Sequence, residues 1–224
     1  MSKTQIPSGG ISSDIALDGD ISVTGTTPSV TVGDAGAEDA KIVFDGNAQD
    51  YHIGLDDSAD TLVIGKGSAL GTTTSMSFDA NGIITKPLQP CFFVYKSAGQ
   101  DVTNTSNNDI TFDTERFDLN ADFGSNVFTA PVTGKYHLSA SVGYINANAS
   151  GTIMVYINTS NFEILGHRRD ASGDDSVYGT AQMSAVVDMD ANDTAKLIID
   201  SSHDDDYALE SATYRTYFSG YLVA

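Results

Sequence analysis

The sequence predicts an all-β protein, and three observations lead there. The composition mixes β-branched residues, Tyr and Phe, which suit strands, with Gly, Ser, Thr, Asn and Asp, which suit turns. No window repeats apolar residues at i, i+3, i+4 and i+7 for more than two turns, as an amphipathic helix requires. Apolar and polar residues instead alternate with period two along most of the chain. A length of 224 residues holds one large domain or two small ones.

Taken in order, residues 1–20 are small and polar with isolated Ile and Leu. Such a stretch cannot bury enough apolar surface to offset the entropy of ordering it. It reads as an N-terminal arm that docks on a neighbouring subunit or a larger particle. Residues 21–86 read as short strands with cores at Ile21/Val23, Val30/Val32, Ile42/Phe44, Ile53/Leu55, Leu62/Ile64 and Met76/Phe78. Asp45-Gly46 and Asn81-Gly82 are hairpin signals between them. Phe44-Asp-Gly-Asn47 and Phe78-Asp-Ala-Asn-Gly82 echo each other without making a repeat. Each strand offers two inward residues, a poor private core, so a β-rich stem that pools its apolar side chains across three chains is expected. Two prolines in Ile84-Thr-Lys-Pro87-Leu-Gln-Pro90 place a linker and the boundary of the next domain there.

Residues 87–224 form the second domain. Ten strands are expected near 91–95, 109–113, 117–119, 126–129, 134–145, 151–158, 162–167, 177–189, 194–201 and 213–223. Tyr136, Leu138, Ala140, Val142 and Tyr144 share one face; so do Ile153, Val155 and Ile157, and again Met183, Ala185, Val187 and Met189. That number of strands in that length is the size of a jelly-roll sandwich.

Charge narrows the partners. There are 11 Lys+Arg against 30 Asp+Glu, a formal net charge of −19. The excess is spread out, with 4 basic and 12 acidic residues in 1–86 and 7 and 18 in 87–224. Such a surface repels phosphate backbones and anionic lipid, which argues against nucleic-acid binding. The lone Cys91, in the apolar run Cys91-Phe92-Phe93-Val94-Tyr95, permits no intrachain disulfide and reads as a small buried hydrophobe. No signal peptide and no membrane insertion are expected, since no long apolar run follows the N-terminus or occurs elsewhere.

Two segments about eighty residues apart carry the most specific pattern. One is Phe128-Thr-Ala-Pro-Val-Thr-Gly134-Lys-Tyr136-His-Leu138; the other is Tyr217-Phe218-Ser219-Gly220-Tyr221-Leu222-Val223-Ala224. Together they resemble the two ends of the globular head shared by complement C-one-q and the tumour necrosis factor family. Phe112, Asp118 and Phe123 fit the family's upstream spacing, while the gap from Phe123 to Phe128 is two residues shorter than the family pattern. Leu138 and Ala140 stand where the family carries larger aromatic residues. The resemblance implies a trimeric jelly roll that binds other molecules and is not an enzyme. It implies a trimer and core signature of Phe112, Phe123, Phe128, Gly134, Tyr136, Phe218 and Gly220. In residues 21–86, Val32-Gly-Asp-Ala-Gly36 and Ile64-Gly-Lys-Gly67 resemble the N-terminal modules of fibre-like virion proteins of marine tailed phages.

Catalytic and metal motifs are thin. Gly65-Lys66-Gly67-Ser68 is similar to a phosphate loop but lacks its first Gly and its Ser or Thr after the Lys, so it reads as a strand-end turn. His52, His137, His167 and His203 are far apart, and no Gly-x-Ser-x-Gly elbow occurs. Asp188-Met-Asp190-Ala-Asn192-Asp193 begins like a calcium loop but has Asp193 at the Gly position and Ile199 at the Glu position. Adjacent carboxylates at Asp174-Asp175 and Asp204-Asp205-Asp206 leave two readings open, a calcium site near a trimer apex, as in relatives of the complement head, or solvated loop tips. His167-Arg168-Arg169 either grips an anionic glycan or pairs with acids such as Asp170.

The function expected from all of this is a homotrimeric tail-fibre-like or head-fibre-like appendage of a phage virion. Its partners would be copies of itself, other virion proteins through the arm, and a host-surface glycan or protein. A capsid decoration protein is the alternative. A polysaccharide depolymerase, with acids drawn from Glu38, Glu115, Glu163, Glu210 and the many aspartates, is a third. No cofactor beyond calcium is called for.

Overall fold

The computed structural model describes residues 18–102, 107–146, 151–171, 177–201, 207–210 and 214–224. Residues 1–17 of the expected arm, His203, Asp174, Asp175 and Asp204, Asp205, Asp206 lie outside these, so the arm and calcium readings have no structural counterpart here. The described chain is all-β, with a single 3-10 turn at Asp57–Ala59.

Five strands make an amino-terminal antiparallel sheet in chain order: β1 (Ala40–Phe44), β2 (Tyr51–Asp56), β3 (Thr61–Lys66), β4 (Thr74–Phe78) and β5 (Ile84–Thr85). The register aligns two apolar ladders. Ile42, Ile53, Ile64 and Met76 are successive cross-strand partners, as are Ala40, Leu55, Leu62, Phe78 and Ile84. Because strand side chains alternate, both ladders stand on one face. The opposite face holds His52 and Val63, both buried, with Gly54 and Gly65 between them. The 67–73 loop is tied back to the strands there, through Lys66 N–H to Thr73 O (3.0 Å), Gly67 N–H to Asp50 O (2.8 Å) and Lys41 Nζ to Ser68 O (2.6 Å). His52 Nδ1 lies 2.8 Å from Gly67 O. A Cβ on Gly65 would fall 2.6 Å from the His52 ring and 2.7 Å from Thr73 O, so only glycine fits beneath this loop.

Two expectations for this region are corrected. Residues 18–39 contain no strand: Ile21, Val23, Val30 and Val32 are exposed and unpaired, since none has a neighbouring strand to bond. The linker is shorter than 84–90, because Ile84 and Thr85 pair with Phe78 and Ser77. Residues 86–90 then turn, with Gln89 N–H donating to Lys86 O, and the next strand begins at Cys91.

From there on the strands build two facing sheets. They are β6 (Cys91–Tyr95), β7 (Gln100–Val102), β8 (Asn108–Asp109), β9 (Thr114–Leu119), β10 (Phe123–Gly124), β11 (Val127–Thr129), β12 (Gly134–Asn146), β13 (Gly151–Thr159), β14 (Glu163–Ala171), β15 (Val177–Met189), β16 (Thr194–Ser201), β17 (Tyr207–Leu209) and β18 (Tyr217–Leu222). One sheet runs β10-β11-β16-β13-β14, with β8 beside β11 on β16. The other centres on β12, which pairs with β15 along its whole length on one edge. On its other edge β12 pairs with β18 and then β17, which lead on to β6-β9 and to β7. All pairings are antiparallel, and the architecture is a jelly-roll-like sandwich. Among the described residues it has thirteen strands where ten are expected: β7, β10 and β17 are two or three residues long, too short to show a period in sequence. Residues 110–113 are not strand, and pairing resumes at Thr114.

The inward alternate residues interleave as a common core. Tyr136, Leu138, Ala140, Val142 and Tyr144 of β12 face Ile153, Val155 and Ile157 of β13 and Leu197 and Ile199 of β16, all buried. Burying a side chain of this size is worth roughly 1.5–3 kcal/mol. At one end Phe92 stacks on Phe128 (4.7 Å between centroids) and Phe123 (5.1 Å) and meets Phe218 edge-on (5.1 Å), so rings from both sheets lock together.

Candidate functional site

The signature residues sit at that locked end. Phe128, Tyr136 and Phe218 are buried; Phe112 and Phe123 are half-buried against the same cluster. Buried Tyr136 satisfies its hydroxyl by donating to Val132 O at 2.7 Å. A Cβ on Gly220 would meet Leu138 and Phe92 at 2.7 Å, and one on Gly134 would meet Ala224 O at 2.7 Å where the last residues cross β12. The shortened spacing from Phe123 to Phe128 has a plain cause. The two residues are cross-strand partners, and Ser125 and Asn126, at φ +52° and +68°, make the two-residue turn between them. Asn126 Oδ1 also accepts the Phe112 N–H (2.7 Å), and Asp118 accepts the N–H groups of Asp122 and Phe123 (3.1 and 2.9 Å). These residues pack together as the scaffold of this end of the sandwich.

The surface that can act lies on the outer side of the β12-centred sheet. Three cross-strand rows cross its middle: Leu119, Cys91, Tyr221, His137, Val186; then Phe117, Phe93, Ser219, Ser139, Ser184; then Tyr95, Tyr217, Ser141, Gln182. Beyond them lie Lys135 with Asp188 at one end and Ile145, Tyr178 and Asp101 at the other. The β6/β9/β18 side is an aromatic ridge. Phe93 stacks on Tyr217 (5.3 Å) and meets Phe117 (6.1 Å), and Tyr95 meets Tyr214 (4.6 Å). Phe117, Tyr214 and Tyr221 remain 43–50% exposed. The β12/β15 side is a trough of small polar residues with a cavity of about 320 Å³ at Ser139, Gln182, Ser184 and Tyr217. None of the three rows carries a carboxylate, in a chain with 30 of them. Cys91 is half-buried on this face, not in the core as expected, and burial pushes its thiol pKa up.

The remaining candidates are dispersed. His52 lies in the amino-terminal sheet and His137 packs on Tyr221 (5.1 Å). His167 Nε2 lies 3.0 Å from the Tyr144 hydroxyl, bridging the two sheets. No two of these three share a site. Of the basic island, Arg168 is exposed on β14. The 188–193 segment is a hydrogen-bonded turn in which Asp193 accepts the Asp190 N–H at 2.8 Å. That bond, with help from Ser160 and Asn161, lowers the Asp193 pKa. Lys66-Gly67 closes a strand-end turn. Among the described residues no group of three or more His, Cys, Asp or Glu could hold a metal ion.

Sequence reading missed the outer face. The available signal was Cys91-Phe92-Phe93-Val94-Tyr95, apolar at every position, which marks a strand covered on both faces. It also missed Lys96, buried with Nζ donating to Thr111 O (3.0 Å) and Oγ1 (3.1 Å), its pKa lowered by burial.

No family model and no curated protein matches this chain. Solved structures similar to it include the globular domain of zebrafish complement 1qA protein, at 18% identity and TM-score 0.44, covering 61% of this chain and 98% of that one. The crystal structure of murine APRIL at pH 8.5 is similar at 11% identity and TM-score 0.42, covering 60% of this chain and 99% of that one. Murine APRIL at pH 5.0 gives 11% identity, TM-score 0.43 and the same coverage.

Proposed function

We propose that this protein is a self-associating, non-catalytic binding module that works as a homotrimer, as part of a tailed-phage virion. The observation that carries self-association is the carboxylate-free middle of the outer face, three rows lying between Asp188 at one end and Asp101 at the other, with a ridge on one side and a trough on the other. Ridge and trough adjoin at Tyr217 but differ in chemistry, so one copy's ridge seats in the next copy's trough. Such a heterologous contact closes into a ring when the rotation allows, and three copies is the ring the sequence resemblance implies. Two chains of charge −19 repel, and these three uncharged rows are where they can approach. The assembled head would present its loops to a host-surface glycan or protein, with avidity from three identical heads. The virion reading draws on the fibre-like phrases at 32–36 and 64–67 and on the disulfide-free all-β composition.

Two experiments test this. Light scattering should give about three times the 23.6 kDa chain mass. Phe93→Asp should reduce it to one chain, and a monomeric parent would refute the module. Gold-tagged antibody against residues 91–224 should decorate tail or fibres of particles. Gold spread over the head would make the protein a capsid decoration protein, and particles without gold would remove the virion reading.

A further inference from the structure

The amino-terminal sheet poses a separate problem. Its two apolar ladders stand on one face, and nothing among the described residues covers them: Phe44 is 60% and Leu55 45% exposed. The only charged strand residue on that face is Lys66, at its end. The acids of the region, Asp45, Asp50, Asp56, Asp57, Asp60 and Asp79, lie in turns or at strand ends. A strongly acidic chain has therefore kept the strand positions on this face free of carboxylates.

We infer that the ladder face is a second self-association surface, covered by the same face of neighbouring copies around the assembly axis. This rests on the self-association reading above and adds a partner for a different sheet. Size decides between a copy and a foreign protein. Five strands about 4.8 Å apart and about 17 Å long present a face of roughly 400 Å². A specific interface needs about 800 Å² from each partner, so the face alone is too small to hold a free partner firmly. A copy already joined through its sandwich arrives at high effective concentration, and half an interface then suffices. Charge agrees. A basic partner would be steered to the carboxylate-bearing turns, whereas identical neutral faces are what two acidic copies can bring together without apposing carboxylates. Like ladders meet in layers, and Lys66 stays at the rim.

The test uses the full chain with Ile64→Cys or, as a second variant, Leu62→Cys, each treated with a short bis-maleimide. Thr72→Cys, on the exposed outer loop, and the parent with Cys91 alone are controls. The ladder variants should give at least about tenfold more inter-chain product than either control. A chain of trimeric mass whose ladder cysteines do not cross-link, and label as fast as the Thr72→Cys control, would overturn this inference and leave the sandwich trimer standing. A monomeric parent mass would overturn both.

Discussion

The amino-terminal sheet and the sandwich are built from the same alternating strands, yet they treat apolar side chains in opposite ways. Among the described residues Val63 is the only apolar side chain before residue 90 that is fully buried, and it shares its face with His52 and two glycines. The sandwich buries apolar residues from nearly every strand against a second sheet. One sheet has a partner within the described chain and the other has none. Alternation therefore specifies which side chains share a face, while only a second layer decides whether that face becomes core or surface.

This contrast can be broken most forcefully by truncation. Phe218→Ala removes a fully buried ring that touches Phe92, Phe112 and Phe123, and should cost about 3–5 kcal/mol in urea unfolding followed by tyrosine fluorescence. Phe44→Ala in the amino-terminal sheet should cost under about 0.5 kcal/mol in a dilute single chain. Equal losses would mean the two sheets are not built differently.

Added methyl groups sharpen the comparison. Gly220→Ala pushes a Cβ into Leu138 and Phe92 and should lower sandwich stability by about 1–3 kcal/mol. Gly65→Ala clashes with His52 and the Thr73 carbonyl, and should speed hydrogen exchange in β2–β4 while the sandwich amides keep their protection. Loss of protection in both regions would show that they unfold as one unit.

A smaller effect comes from Asp122. Burial, and then the Asp118 carboxylate, raise its pKa, and its Oδ2 is buried without a partner. The charged form is thus disfavoured in the folded state. The penalty is absent below the unfolded value of about 3.9, where both states are protonated, and complete once the pH passes the folded value. Asp122→Asn should stabilise the protein by on the order of 1 kcal/mol at pH 7, and the gain should vanish as pH falls toward about 4. A pH-independent gain in melting temperature would reject this cause. Smallest of all, Lys135→Ala breaks an exposed pair with Asp188 and should change stability by less than about 0.5 kcal/mol.

Much of the sandwich was legible beforehand, because long strands such as β12 and β15 carry several periods of alternation. Short strands were not: β10 is a two-residue arm whose existence depends on the positive φ angles of Ser125 and Asn126. The outer face was legible only in Cys91-Phe92-Phe93-Val94-Tyr95, since the serines of β12 and β18 look like ordinary solvent-facing positions until the register places them beside the aromatic ridge.

By itself the sequence determined the all-β class, the inward residues of the long strands, the Gly134–Tyr136 and Phe218–Gly220 landmarks and the acidic balance, because each depends on local period or on composition. Tertiary structure alone decided that β12 joins β15, β17 and β18, that ladders from five strands align on one face that no described residue covers, and that three rows of outward residues carry no carboxylate. Those are facts of register between strands far apart in the chain, and a one-residue slip, which local sequence hardly penalises, would send each of these side chains to the opposite face.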